Sequence, residues 1–215
     1  MSLSTMLQTM SVGMLRTIAI FVLTLIGSLP LGMVIALLKR SQNMPVQKLT
    51  SAFISVIRGT PLMLQLLVWY FGPYYLFGAN IGGWRFPALI LGFVLNYACY
   101  FAEIYRGGIE SIPFGQYEAA EVLGYNRTQT FFNIVLPQVV KNIMPAVTNE
   151  VITLVKDTSL ASTLAFQEVF SLAKQISASQ VSFTPFIIAG IFYYVASRVV
   201  EIVMLRIEKA LDYYK

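Results

Sequence analysis

The fold class predicted by this sequence is all-α: a polytopic membrane protein with five transmembrane helices. Three observations predict it. Of 215 residues, 57% are hydrophobic and only 12% are charged, against roughly 25% charged in soluble domains. The apolar residues fall into runs long enough to cross a bilayer core, which takes about 20 residues per helix. The basic residues gather at the ends of those runs. The length suits one domain, so residues 1–215 are read as a single transmembrane unit.

The spans follow in chain order. Thr17 to Leu38 carries no charge and reads as the first, with a kink expected at Pro30. Leu49 to Phe77 is the second, interrupted at Arg58-Gly59-Thr60-Pro61. Pro61 has no N–H to donate, so a carbonyl near Ile57 loses its helical partner and the span can bend there. Phe86 to Ala102 is the third, extended toward water by Glu103 and Arg106. The fourth, Asn142 to Phe166, holds Glu150, Lys156 and Asp157; the fifth, Val181 to Leu205, holds Arg198 and Glu201.

Five spans put the termini on opposite sides. With the N-terminus outside, nine basic residues fall in inner segments: Lys39, Arg40, Lys48, Arg106, Arg127, Lys141, Arg206, Lys209 and Lys215. Only Arg16, Arg85 and Lys174 fall outside. The positive-inside rule therefore favours N-outside and C-inside. Trp84 and the aromatic group at 69–77 then lie near the outer interface. No basic stretch followed by a short apolar run and a cleavage site marks a signal peptide. The single cysteine, Cys99, allows no internal disulfide, and histidine is absent.

This orientation makes the segment at about 106–141 cytoplasmic. Gln116 to Leu123 reads as a short helix behind Pro113, with Glu118 and Glu121 in its early turns, where the helix dipole favours acids. Gly124 stands where a left-handed residue ends a helix cheaply. A second helix is expected from about Arg127, with Pro137 redirecting the chain into the fourth span. Composition alone allows an ordinary loop or a docking element for a soluble partner.

The order Glu118-Ala119-Ala120, three residues, Gly124, nine residues, Ile134, one residue, Leu136-Pro137 resembles the EAA signature of importer-type permeases of the ATP-binding cassette (ABC) class. RGTPLMLQL at 58–66 is similar to the RGTP segment of the polar amino-acid branch; AEIYRGGIESIPFGQYEAA at 102–120 and NEVITLVKDTSLAS at 149–162 agree with it. The likeness runs from roughly residue 14 to 209. It implies a type I importer permease in the bacterial inner membrane, paired with a second copy or a related permease. It also implies two ABC ATPase subunits, an extracytoplasmic substrate-binding protein and an amino-acid cargo. Glu118, Ala119, Ala120 and Gly124 would couple to the ATPase, with Glu118 meeting a basic residue there. ATP and magnesium would reside on that partner, and the permease itself would bind no cofactor.

The residues agree with this division of labour. No G-x-x-x-x-G-K-[ST] loop is present to cradle ATP. Nor is there a clustered cysteine set or a Gly-x-Ser-x-Gly elbow, and the bulk positive charge is no nucleic-acid signal. Polar groups inside a bilayer cost a few kcal/mol unless they face a cavity or a partner, so they are the candidates for a pathway. Asn96, Tyr100 and Glu103 lie on one helical stripe, with Arg106 in reach of Glu103. Glu150 and Asp157 share a face, followed by the hydroxyls of Thr158 and Ser159. Thr60 and Gln65 lie at the break in the second span. Each can serve either ligand contact or helix locking, and Arg58 could pair with Glu150 or Asp157. Arg198 and Glu201 pair with each other. The rival classes are an ion-gradient-driven secondary transporter, a membrane-embedded enzyme using Asp157 or Glu150, and a non-transporting scaffold.

Overall fold

The computed structural model describes residues 2–211; Lys215, one of the nine inner basic residues, lies outside them. Among the described residues every regular element is helical: α1 (Leu3–Lys39), α2 (Met44–Gly59), α3 (Leu62–Phe77), α4 (Arg85–Glu110), α5 (Phe114–Val122), α6 (Arg127–Thr130), α7 (Leu136–Asp157), α8 (Val169–Gln180) and α9 (Thr184–Leu211). A π-helical turn, Phe131–Val135, joins α6 to α7, and a 3-10 segment, Thr158–Leu164, follows α7.

The organising contact is α1 against α4. The buried positions of α1 are Met6, Met10, Gly13, Thr17, Ile20, Thr24, Ser28, Gly32, Ile35 and Ala36. They recur every three or four residues, one stripe of a helix, and most are small. Small residues let backbones approach closely, which is how helices associate where lipid removes the hydrophobic drive. A Cβ on Gly32 would stand 2.9 Å from Phe101 Cβ and 3.0 Å from the Ala98 carbonyl oxygen. Around this seam Ile20, Leu66, Leu89, Phe93, Phe101 and Leu154 are fully buried. A second cluster gathers Met6 and Met10 with Val169, Ala173, Ile188 and Ala189 at one end of the bundle. A third, Ile109, Ile112, Val135 and Val139, supports α5 at the other.

α1, α4 and α9 are long and apolar enough to cross a membrane. The pair α2 and α3 qualifies together, bent by 110° at the break that Pro61 enforces. α7 falls short of that standard, its apolar character diluted by Lys141, Glu150, Lys156 and Asp157. The fourth expected span is also displaced: its helix runs 136–157 rather than 142–166, and 3-10 geometry follows. α1 continues as one helix through Pro30. One proline reading changes. Pro137 does not redirect the chain, because it occupies the first turn of α7, where its missing N–H costs nothing, and helical geometry is continuous from 127 to 157.

Candidate functional site

The break between α2 and α3 leaves carbonyls without helical partners, and one side chain collects them. The Gln65 amide nitrogen donates to the Ile57 carbonyl at 2.7 Å, the Thr60 carbonyl at 3.1 Å and the Thr60 hydroxyl at 2.9 Å. The Thr60 hydroxyl itself donates to the Val56 carbonyl. Asn96 on α4 donates to the Gln65 side-chain oxygen at 3.1 Å. Gln65 and Asn96 are both buried. The carbonyl expected to be orphaned by Pro61 is therefore satisfied, and the polar pair ties the bend to the α1–α4 seam.

At the C-terminal end of α7, the Asp157 carboxylate accepts from the Tyr97 hydroxyl at 2.7 Å. Glu150, two turns earlier and half-buried, makes no ion pair among the described residues, although Asp157 and Arg58 lie within its electrostatic reach. Two carboxylates thus stand along one helix face with no ion pair among the described residues, Lys156 lying within electrostatic reach of Asp157, an arrangement suited to ammonium or guanidinium groups. Thr158 and Ser159 use their hydroxyl protons on backbone, to the Val155 carbonyl at 2.7 Å and the Lys156 carbonyl at 2.8 Å. Thr158 is fully buried; tightening from α-helix to 3-10 turns its hydroxyl onto the preceding turn. Tyr97 escaped sequence reading because it lies one position off the 96–100–103 stripe.

Arg58 pairs with neither Glu150 nor Asp157. Glu103 is the hub instead. It accepts from Lys39 at 2.5 Å and from two nitrogens of Arg106 at 2.9 and 3.2 Å, with Arg58 at 3.8 Å. Arg106 also pairs with Glu110. Tyr100 lies under the Arg58 guanidinium, 5.0 Å from carbon to ring centre. Glu168 is a second residue that the pattern of the sequence did not flag. Fully buried, its carboxylate caps α8 through the Phe170 and Ser171 N–H groups and accepts from the Tyr193 hydroxyl, each at 2.7 Å.

At the opposite end from Glu168, α5 projects with Pro113 before it. Glu118 and Ala119 are exposed, Ala120 is buried against the bundle, and Val122 and Leu123 are 88% and 73% exposed. Gly124 has φ +78°, left-handed, and a Cβ there would meet nothing within 4 Å. Asn126 and Gln129 form a reciprocal capping box that restarts the helix at Arg127. Each of the four expected coupling residues therefore has a defined place: three on an unpartnered surface, and Ala120 as the anchor.

Residues 28–213 match the family model described as the binding-protein-dependent transport system inner membrane component. The chain belongs to that family. Among its curated relatives, the arginine transport system permease protein ArtQ of Bacillus subtilis (strain 168) is 38% identical, covering 93% of this chain and 90% of the relative. The L-cystine transport system permease protein TcyB of the same organism is 35% identical over 95% and 87%. A solved amino acid ABC transporter "with histidines" superposes with a TM-score of 0.87 at 32% identity, covering 98% of this permease and 99% of that chain. The MetNI methionine ABC transporter, at 19% identity and a TM-score of 0.77, shows the shared fold. This permease thus has the all-α ABC importer fold that the EAA spacing implied.

Proposed function

We propose that this chain is the pathway-forming permease of an ATP-driven importer for polar amino acids, with residues 1–215 as one domain and 106–141 as its cytoplasmic coupling segment. The observation that carries this reading is the α5 turn. It combines the family's spacing, a left-handed Gly124, and exposed apolar residues at Val122 and Leu123, with Phe114 and Phe132 exposed on either side. Such a surface suits a groove on a soluble partner. Glu118 would meet a basic residue there, and motion of two separate ATPase subunits, which hold ATP and magnesium, would tilt the permease helices to alternate access. The chain would pair with a second copy or a related permease, receive cargo from an extracytoplasmic binding protein, and sit in the bacterial inner membrane with its N-terminus outside and its C-terminus in the cytoplasm.

The cargo reading rests on the relatives' named substrates, arginine, cystine and glutamine, and on the unpaired acids. Glu150 and Asp157 would receive the amino group or a cationic side chain, Tyr97 would hold Asp157 in place, and Ser159 and Tyr100 would line the route. Thr60, Gln65 and Asn96 would shape the pathway wall at the bend; Thr158 acts through its turn. Reconstitution of the chain with its ATPase and partner permease in proteoliposomes, with a panel of labelled amino acids and with ATP supplied or withheld, tests the reading. ATP-dependent uptake of one or a few polar amino acids is the expected result. Uptake that follows an imposed ion gradient without ATP would replace it with a secondary transporter.

A further inference from the structure

One charged cluster lies outside the acid pair and outside the coupling turn. A cavity of about 450 Å³ is lined by Lys39, Ser51, Ser55, Arg58, Tyr100 and Glu103, with Ile54 and Gly59 completing the wall. Its charges do not balance. Glu103 is occupied by Lys39 and doubly by Arg106, and Arg106 is shared with Glu110. Around Glu103 three cations thus face two acids, and the surplus falls on Arg58, which has Glu150 within electrostatic reach but not in contact. Among the described residues its only ion-pair contact is the 3.8 Å approach to Glu103, and its side chain is 42% exposed. No hydrogen bond engages its guanidinium among the described residues, which leaves a planar fork of donors open.

The neighbours of Arg58 complete a receptor for an oxyanion. Ser51, Ser55 and Arg58 lie at i, i+4 and i+7 on α2, one stripe of the helix. Both serines line the cavity, and neither hydroxyl has a partner among the described residues. Behind them the Tyr100 ring holds the guanidinium plane from one side. Two hydroxyl donors, an Arg fork and a nearby ammonium from Lys39 match the geometry of a carboxylate or phosphate, which a guanidinium binds through paired N–H groups. An arginine held only by one long ion pair is costly in or near a bilayer, and an arriving oxyanion lowers that cost.

We propose that Ser51, Ser55, Arg58 and Lys39 form an oxyanion-binding site, separate from the Glu150–Asp157 face. Two sources carry this chemistry. One is the carboxylate of a transported amino acid on its way past the α2 stripe; this source rests on the importer reading above. The other is the phosphate of an anionic lipid, which needs no such reading.

The test uses the complete importer in nanodiscs. Cys99, the single native cysteine of this chain, is buried, so Ser55→Cys supplies an accessible thiol, and mass analysis of this chain reads its labelling. An anionic sulfonatoethyl methanethiosulfonate should react about fivefold faster than a cationic trimethylammonium one. Arg58→Gln should abolish that preference, while Arg58→Lys should keep it. L-arginine, L-glutamine and L-cystine are then compared with their decarboxylated amines as protectants. Protection by an amino acid but not by its amine assigns the carboxylate source. Protection on replacing phosphatidylcholine discs with discs containing phosphatidylglycerol assigns the lipid source, and it would stand even in a chain that imports no amino acid. A preference that is absent, that survives Arg58→Gln, or that neither ligand competes away overturns the site.

Discussion

The α5 turn and the polar interior around Gln65 use their side chains in opposite ways. At α5, the side chains of Glu118, Ala119, Val122 and Leu123 face outward, exposed, with Gly124 beside them. Under the proposed reading their meaning is carried by residue type and spacing, because the contact they make would lie on another polypeptide. In the interior, Gln65, Asn96, Tyr97 and Asp157 are spent on one another or on carbonyls freed by the break. There a residue's meaning is its partner, up to 60 positions away in sequence. A docking surface can be read along the chain, whereas a buried network is visible only once the helices are packed.

The largest expected effect comes from the outward region. Glu118→Lys leaves every contact within this chain intact, so insertion and melting temperature should not change. Like charges brought together at an interface cost several kcal/mol, and coupled uptake should fall by more than about tenfold while ATP hydrolysis persists. Gly124→Ala separates backbone from surface: a left-handed alanine costs roughly 1–2 kcal/mol, yet the added methyl touches nothing within 4 Å. Its melting temperature should drop slightly, with uptake falling more than that strain accounts for. Normal coupled uptake by both variants in proteoliposomes would erase the contrast between the two regions.

The interior should answer through stability instead. Gln65→Leu strands the Ile57 and Thr60 carbonyls and the Asn96 amide, and each buried unsatisfied group costs about 1–3 kcal/mol. Thermal unfolding of the detergent-solubilised complex should show a fall of several degrees. Adding Asn96→Leu should not deepen the loss by the full single-mutant amount, since one of the stranded groups is then gone. Full additivity would mean that the 3.1 Å contact carries no coupling. Tyr97→Phe removes only the hydroxyl that holds Asp157. It should raise the KM for uptake about tenfold, the loss of one charged hydrogen bond, and lower the melting temperature by less than Gln65→Leu does, since one acceptor rather than three groups is left short.

This division explains how far the sequence could be read. The helical class, the break at Pro61, the left-handed Gly124, the restart at Arg127 and the Glu103–Arg106 and Arg198–Glu201 pairs all depend on residues within a few positions of one another. Local stereochemistry determines them. Arg58 was a different problem: charge alone offered Glu150 or Asp157, and packing of α2 beside α4 instead brought it within 3.8 Å of Glu103. The Thr158 hydroxyl donates to the Val155 carbonyl because the helix tightens to 3-10 geometry at that turn, which the sequence did not signal. Glu168 had no legible sign at all; an acid among apolar residues becomes a cap only when α8 begins directly behind it.

The smallest effect is expected from a pair that was legible and is still of little consequence. Arg198 and Glu201 meet at 2.7 Å, one turn apart on α9, with side chains 50% and 32% exposed. An exposed ion pair gains little Coulomb energy and gives some of it back in side-chain entropy, which leaves about 0–1 kcal/mol. Arg198→Ala should therefore shift the melting temperature by no more than the error of the measurement and leave uptake unaltered. The contrast with Arg106, where one guanidinium bonds two carboxylates beside Lys39, is in connectivity rather than distance. Were Arg198→Ala to depress uptake at unchanged stability, α9 would share the logic of α5, with its exposed charges addressed to a neighbouring subunit rather than to each other.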